Sequence, residues 1–298
     1  MDKYPEFIKQ VDNEYWLVET EAGNYKLHYK IKDILFCWQS NFQHIMILDS
    51  YTFGKMLVLD GIVQTTAADG FIYNEMITHV PMNIHPNPRK VLIIGGGDCG
   101  AAREVAKYPG VKRIDMVEID EMVVKACLEH LPEISGNLCD PRVNFIFKDG
   151  MKYIQDLNRQ NDDGIEKDLY DVVIVDSSDP VGPATSLFEA DFYRLLYNVL
   201  EDDGLMACQS ESPVFYAKTM KNTYDRLSAI FPITRLYTTT VPTYPGGIWS
   251  FTIASKKYAH VNPSKFDKET ICVNKEILES CFAIPEFVKK ILDTQTQC

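Results

Sequence analysis

One stretch limits what this chain can fold into more than any other: residues 89–120, Arg-Lys-Val-Leu-Ile-Ile-Gly-Gly-Gly-Asp-Cys-Gly-Ala-Ala-Arg-Glu-Val and onward to Val-Glu-Ile-Asp. Val91 to Ile94 is a short apolar run, mostly β-branched, that suits a parallel strand buried on both faces. Gly95, Gly97 and Gly100 fit the G-x-G-x-x-G spacing, which lets the chain turn sharply and a nucleotide approach the backbone. A helix is expected from Ala101. A second strand, Arg113 to Val117, ends in Glu118, about twenty residues beyond the glycines, where a carboxylate can accept hydrogen bonds from two ribose hydroxyls. The stretch reads as a nucleoside-binding βαβ unit. NAD enzymes and adenosyl-sulfonium enzymes share this layout, and Asp98 favours the second, because a carboxylate inside the glycine loop repels a pyrophosphate but suits a cation.

Further apolar strands extend the pattern. Pro141 to Phe147 leads to Asp149-Gly150, and Asp171 to Val175 opens into Asp176-Ser-Ser-Asp-Pro-Val-Gly-Pro. In an open parallel sheet the strand C-termini face the ligand crevice, so Glu118, Asp149 and Asp176 are expected to converge there. Upstream, from Tyr15 to about Thr66, the hydrophobic period is two, with Gly23-Asn24 and Asp60-Gly61 as turns. That predicts a small antiparallel β-domain over residues 1–67, ahead of a catalytic α/β domain over 68–298. A helix over Asp69 to Pro81 links them and carries Tyr73 and Asn74. His85-Pro-Asn-Pro leads rigidly into the first strand of the large sheet. Residues 157–169 read as a polar surface insertion. Helices are expected over Leu187–Leu200, Phe215–Phe231 and near Ile284–Leu292, with a strand at Leu205–Cys208 and a hairpin from Thr234–Thr240 to Trp249–Ser255.

Eight cysteines are scattered with no C-x-x-C pair, against both a thiolate zinc site and a disulfide framework. A formal net charge of −12 disfavours nucleic acid as a partner. No run of eighteen apolar residues and no leader pattern is present, so neither a membrane span nor a signal peptide is expected, and the cytoplasm is the expected location.

Taken together, Gly95-Gly-Gly-Asp98, Glu118-Ile-Asp, Asp149-Gly, Asp176-Ser-Ser-Asp-Pro-Val-Gly-Pro and Pro242-Thr-Tyr-Pro resemble the spermidine synthase family of polyamine aminopropyltransferases. The resemblance runs the length of the chain and includes Trp16, Gln43 and the Asp-x-Phe-x-Tyr-x-Glu-Met block at 69–76. It implies a Rossmann-like, methyltransferase-type doubly wound sheet with the small N-terminal β-domain. It implies transfer of an aminopropyl group from decarboxylated S-adenosylmethionine to putrescine, giving spermidine and 5′-methylthioadenosine. The donor is a co-substrate; no cofactor or metal is expected, because a sulfonium is already an activated leaving group. By resemblance, Asp176 is the general base and Tyr73 hydrogen-bonds the attacking nitrogen. Gln43, Asn74 and Asp98 hold the donor's aminopropyl end, Glu118 the ribose, and Asp149 with Gly150 the adenine amino group. Trp16, Asp179, Gln209 and Tyr244 line the diamine slot. A homodimer or homotetramer is expected, and the loop after Asp176 is a candidate gate.

Four positions depart from the family's pattern: Gly70 in place of an acid, Asn74 in place of His or Gln, Cys99 in place of glycine and Gly246 in place of serine. Gly246 suggests a widened slot and an acceptor such as cadaverine or agmatine, whose range Gly246→Ser would narrow. The competing readings are an S-adenosylmethionine methyltransferase, an NAD oxidoreductase and a catalytically silent homologue.

Overall fold

The structure, a computed structural model, describes residues 5–21, 23–136, 138–162, 167–179 and 182–294. The chain begins with six antiparallel strands in sequence order: β1 (Ile8–Val11), β2 (Glu14–Glu21), β3 (Tyr25–Gln39), β4 (His44–Ser50), β5 (Gly54–Leu59) and β6 (Ile62–Thr66). Strand alternation gives this sheet two jobs. Leu17, Tyr29, Ile31, Met46, Leu48, Met56 and Val58 form its own core. On the other face, Ile45, Ile47 and Leu57 pack against Val123, Ala126 and Cys127 from later in the chain.

α1 (Gly70–Ile84) leads into the second sheet. There follow β7 (Lys90–Gly95), α2 (Gly100–Ala106), β8 (Arg113–Glu118), α3 (Glu121–His130), α4 (Pro132–Ser135), β9 (Val143–Phe147), α5 (Gly150–Asp162) and β10 (Tyr170–Asp176). The chain continues through a 3₁₀ turn (Gly182–Phe188), α6 (Ala190–Asn198), β11 (Leu200–Gln209), α7 (Ala217–Ser228), β12 (Ile233–Thr240), β13 (Ile248–Ser255), α8 (Lys275–Ser280) and α9 (Glu286–Asp293). The seven strands order as β12-β13-β11-β10-β7-β8-β9. β9, β8, β7, β10 and β11 are parallel, and β13 enters antiparallel beside β11. This is the doubly wound sheet expected from the alternating strands and helices, with its switch point between β7 and β10.

Several boundaries differ from expectation. α1 does not stop at Pro81 but continues to Ile84, because the proline removes one donor in the last turn while its carbonyl still accepts from His85 N at 3.1 Å. The helix expected over Leu187–Leu200 divides, since Tyr170 draws Leu200 into β11. The supposed insertion at 157–169 is, through Asp162, the end of α5. Leu157, Asn158 and Asn161 are buried there; Asn158 Nδ2 donates to the carbonyls of Ile154 and Leu195. Polar letters hid a packed helix because the amides satisfy backbone groups. Residues 163–166 of that segment lie outside the described residues. α8, too short for a periodicity signal, had not been expected.

The seven described cysteines are free. Among the described residues no helix is long and apolar enough to cross a membrane.

Glu75 on α1 is buried, and its carboxylate accepts from the backbone N–H of Ile271, Cys272 and Val273, each at 2.8 Å. Glu75→Ala strands those donors and is expected to cost about 3 kcal/mol in chemical denaturation, where glutamine, keeping one acceptor, costs less.

Candidate active site

At the switch point the glycines act by letting backbone approach backbone. Gly95 has φ +85°, and a Cβ there would lie 2.2 Å from Asp176 O; Gly96 N donates to that carbonyl at 2.8 Å. A Cβ at Gly97 would meet Val123 at 2.9 Å and Glu118 Oε2 at 3.1 Å. The ends of β7, β10 and β8 are thereby drawn around one cavity of about 430 Å³.

Gln43, Tyr73, Asp98, Glu118, Asp149, Gly150, Asp176, Asp179, Gln209 and Tyr244 all line it. Tyr73 Oη donates to Asp176 Oδ1 at 2.8 Å. Asp98 accepts from Gly100 N at 2.8 Å and Asn74 Nδ2 at 3.2 Å. Glu118 accepts from Asp120 N at 3.0 Å, and Asp149 from Lys152 N at 2.9 Å at the start of α5. Gln43 is fixed by donating to Asp120 Oδ2 at 3.1 Å, which Ser40 Oγ also reaches at 2.6 Å. Gln209 braces the far wall: its oxygen accepts from Glu211 N at 2.9 Å and its amide donates to Ser177 O at 3.4 Å. Tyr244 Oη donates to Gln64 O at 2.7 Å and its ring meets Trp249 edge-on.

Two expected residues stand elsewhere. Trp16 does not line the cavity: it pairs in register with Lys9 and Lys30, and alternation puts it on the opposite face from Leu17 and Glu19. Asn74 is fully buried behind Asp98 rather than on the wall. α2 packs so close that a Cβ at Gly100 would lie 2.1 Å from Asn74 Nδ2, so Asn74 positions Asp98.

The departures also find physical reasons. A Cβ at Gly70 would lie 2.1 Å from Thr65 Oγ1, leaving no room for an acid. Cys99 is fully buried and holds φ +65°, a left-handed conformation that costs a non-glycine residue about 1–2 kcal/mol. Gly246 is not on the cavity wall, and its Cβ would come within 2.8 Å of Phe215 Cε2. Phe215 fills the space that a serine side chain would take, so the glycine does not widen the slot. Gly246→Ser, at φ +73°, is therefore expected to cost about 1–3 kcal/mol in stability. It is also expected to leave the ratio of acceptor efficiencies unchanged, and adding Phe215→Ala recovers part of the loss.

Sequence reasoning missed Glu19, Gln64, Ser177 and Trp249, which also line the cavity. It missed Asp120, the anchor of Gln43, and Glu211, a buried acid at φ +69° that hydrogen-bonds Asp179. Glu19 offered one signal, an acid on the apolar face of its strand two residues from Leu17.

The electrostatics follow from crowding acids in an enclosed site. Loss of solvent, then the Asp98 charge, pushes Asp176 up to about 7, partly opposed by the Tyr73 hydroxyl. Loss of solvent pushes Glu118 up to about 7 as well, and raises Asp98 and Asp179. Tyr73 and Tyr244 are held well above the usual tyrosine value by burial and the neighbouring acids, so both remain hydrogen-bond donors. Such a cavity favours cationic ligands with apolar segments.

A methyltransferase-type sheet with acids gathered at its switch point defines a Rossmann-like transferase. The spermine/spermidine synthase domain matches residues 70–265, and the spermidine synthase tetramerisation domain matches residues 15–67. The chain belongs to the spermine/spermidine synthase family and is an enzyme of the polyamine aminopropyltransferase type. It is 44% identical over 286 residues to a polyamine aminopropyltransferase of Thermoanaerobacter sp. (strain X514), covering 94% of this chain and 99% of the relative. It is 44% identical over 283 residues to that of Caldicellulosiruptor saccharolyticus, covering 94% and 99%. A crystal structure of a spermidine synthase in complex with the transition-state analogue AdoDATO superimposes with a TM-score of 0.88 at 37% identity. The spermidine synthase from Thermotoga maritima gives 0.85 at 36%. Both cover 98% of each chain.

Proposed function

We propose that this enzyme transfers the aminopropyl group of decarboxylated S-adenosylmethionine to putrescine, giving spermidine, 5′-methylthioadenosine and a proton. The observation that carries the reading is Asp176: a carboxylate pushed up to about 7, held by Tyr73 Oη at 2.8 Å, in a cavity that Tyr244 and Trp249 wall on one side. An alkylammonium loses its proton near ~10.4, so a carboxylate at its ordinary value would be a poor base for it. Raising Asp176 narrows that gap. The attacking nitrogen forms the new N–C bond as the C–S bond breaks, the thioether leaves with the electron pair, and the ammonium proton passes to Asp176 and then to solvent. The sulfonium needs no further activation, and the reaction draws on no cofactor.

In this reading Asp98 and Gln43 take the donor's aminopropyl end, with Asn74 acting through Asp98. Glu118 takes the ribose, and Asp149 with Gly150 the adenine. Asp179 and Gln209 stand where the distal ammonium arrives, and Tyr244 covers the methylenes. Gly246 gives no reason to expect a longer acceptor than putrescine, because Phe215 occupies the space beside it and neither residue lines the cavity. The match of residues 15–67 to a tetramerisation domain supports an oligomer built on the N-terminal sheet.

The test is donor discrimination. With putrescine, the protein is expected to consume decarboxylated S-adenosylmethionine and release methylthioadenosine. Turnover of S-adenosylmethionine itself to S-adenosylhomocysteine would instead establish methyl transfer.

A further inference from the structure

At the opposite end of the large sheet's strands from the cavity, where β7, β10 and β11 begin, His85, Asp171 and Asp203 converge. We infer that these three side chains bind a divalent cation of the zinc class. His85 is 5% exposed, and its Nε2 is buried with no hydrogen-bond partner. That nitrogen faces Asp203 Oδ1 at 3.6 Å and Asp171 Oδ1 at 4.0 Å, and the three potential ligand atoms all lie within 4.8 Å of one another. The separations are too long for good hydrogen bonds. The two separations from Nε2 exceed by about 0.3 and 0.7 Å the edge of about 3.3 Å between ligands that sit about 2.0 Å from a tetrahedral ion, so the three side chains close inward on a bound ion.

Each carboxylate is held in place by its other oxygen. Asp171 Oδ2 accepts from Arg89 N at 2.7 Å and Lys90 N at 2.8 Å; Asp203 Oδ2 accepts from Tyr258 Oη at 2.8 Å. The ring of Tyr258 stands edge-on to the imidazole at 5.4 Å. Both Oδ1 atoms are therefore presented to one point, as outer partners present ligands to a metal. A donor set of one imidazole and two carboxylates is borderline in softness and suits zinc or manganese, with water completing the shell.

The alternative is an imidazolium between the two carboxylates. His85 Nδ1 accepts from Asn87 N at 3.3 Å, a weak contact that an imidazolium and a cation-bound imidazole both give up because each carries a proton on Nδ1. The response to ions against the response to pH separates the two. A bound ion ties the segment ahead of β7 to the starts of β10 and β11 and, through Tyr258, to the chain beyond β13. It acts on stability rather than on the reaction. None of the cysteines whose spacing argued against a thiolate site takes part.

The test uses full-length, chelator-stripped protein titrated with ZnCl₂ and with CoCl₂. One equivalent per chain is expected in the micromolar range, with a rise in Tm and a Co²⁺ spectrum lacking thiolate charge-transfer bands. His85→Asn and Asp203→Asn are expected to weaken binding at least tenfold and abolish the Tm rise, with aminopropyl transfer unchanged. Asp98→Asn is expected to bind as wild type. Asp203 is 34% exposed, so its variant remains informative if His85→Asn fails to fold. The inference is overturned by absence of binding, by binding that survives both substitutions, or by binding that Asp98→Asn removes. A Tm that responds at this cluster to pH but not to the ions overturns it in favour of an imidazole–carboxylate triad.

Discussion

Asp176→Asn is expected to lower kcat by about 10²–10⁴-fold, the contribution of a positioned general base, while the KM for the donor stays within a few-fold. Asparagine keeps the shape of the side chain and an acceptor for Tyr73 Oη, so the loss falls on proton removal alone. In the wild type, kcat/KM for the amine should rise with pH through about 7, as Asp176 becomes a base.

The same substitution has an opposite effect on the ligand-free fold. The folded-state value of Asp176 lies above its ordinary 3.8, so the folded protein holds this proton more tightly than the unfolded chain. The stability so contributed is full below about 4 and is lost as pH rises through about 7. Glu118 adds to the same trend. Ligand-free enzyme should lose Tm between pH 5 and pH 8, and Asp176→Asn should be the more stable protein at pH 8, a site strained for function. A flat Tm profile, or a variant less stable at pH 8, would mean that burial and the neighbouring acids do not hold Asp176 above its ordinary value.

Asp69→Ala is expected to raise the KM for the amine at least tenfold and to cost about 3 kcal/mol in stability, with donor affinity near wild type. Asp69 is buried at the start of α1, and one oxygen accepts from Thr66 Oγ1 at 2.6 Å. The other accepts from Thr243 N and Thr243 Oγ1, each at 2.8 Å. Tyr29 Oη donates to Thr243 O at 3.1 Å from the N-terminal sheet. The Pro-Thr-Tyr-Pro turn is thus clamped from two sides, and Tyr244 is the next residue along. Steady-state kinetics separate the roles: equal loss of donor and acceptor affinity would make Asp69 a purely structural residue.

What could be read from the sequence was whatever the local chain dictates. A β-branched run followed by glycines can only turn, and an acid at a strand's C-terminus can only face the crevice of a parallel sheet, so Asp98, Glu118, Asp149 and Asp176 could be placed together from spacing. What could not be read depended on which surface another element covers. Trp16 and Glu19 are three residues apart on one strand, and only the sheet's packing decides that Glu19 takes the cavity. Asn74 looks like a wall residue until α2 is seen to close over it at Gly100. Gly246 looks like an opened slot until Phe215, thirty-one positions earlier, is found filling it. The helix through Asp162 was hidden by amides that bond to backbone rather than to solvent.

The central claim is that Asp176 in this cavity deprotonates a short diamine for attack on an aminopropyl sulfonium. The most direct measurement offers the purified enzyme decarboxylated S-adenosylmethionine with equimolar putrescine, cadaverine, agmatine and spermidine, and resolves the products by mass. Spermidine as the dominant product, formed one for one with methylthioadenosine and lost in Asp176→Asn, is the expected result. Methylthioadenosine formation that persists undiminished in Asp176→Asn, or none from any amine while the fold is intact, would contradict it.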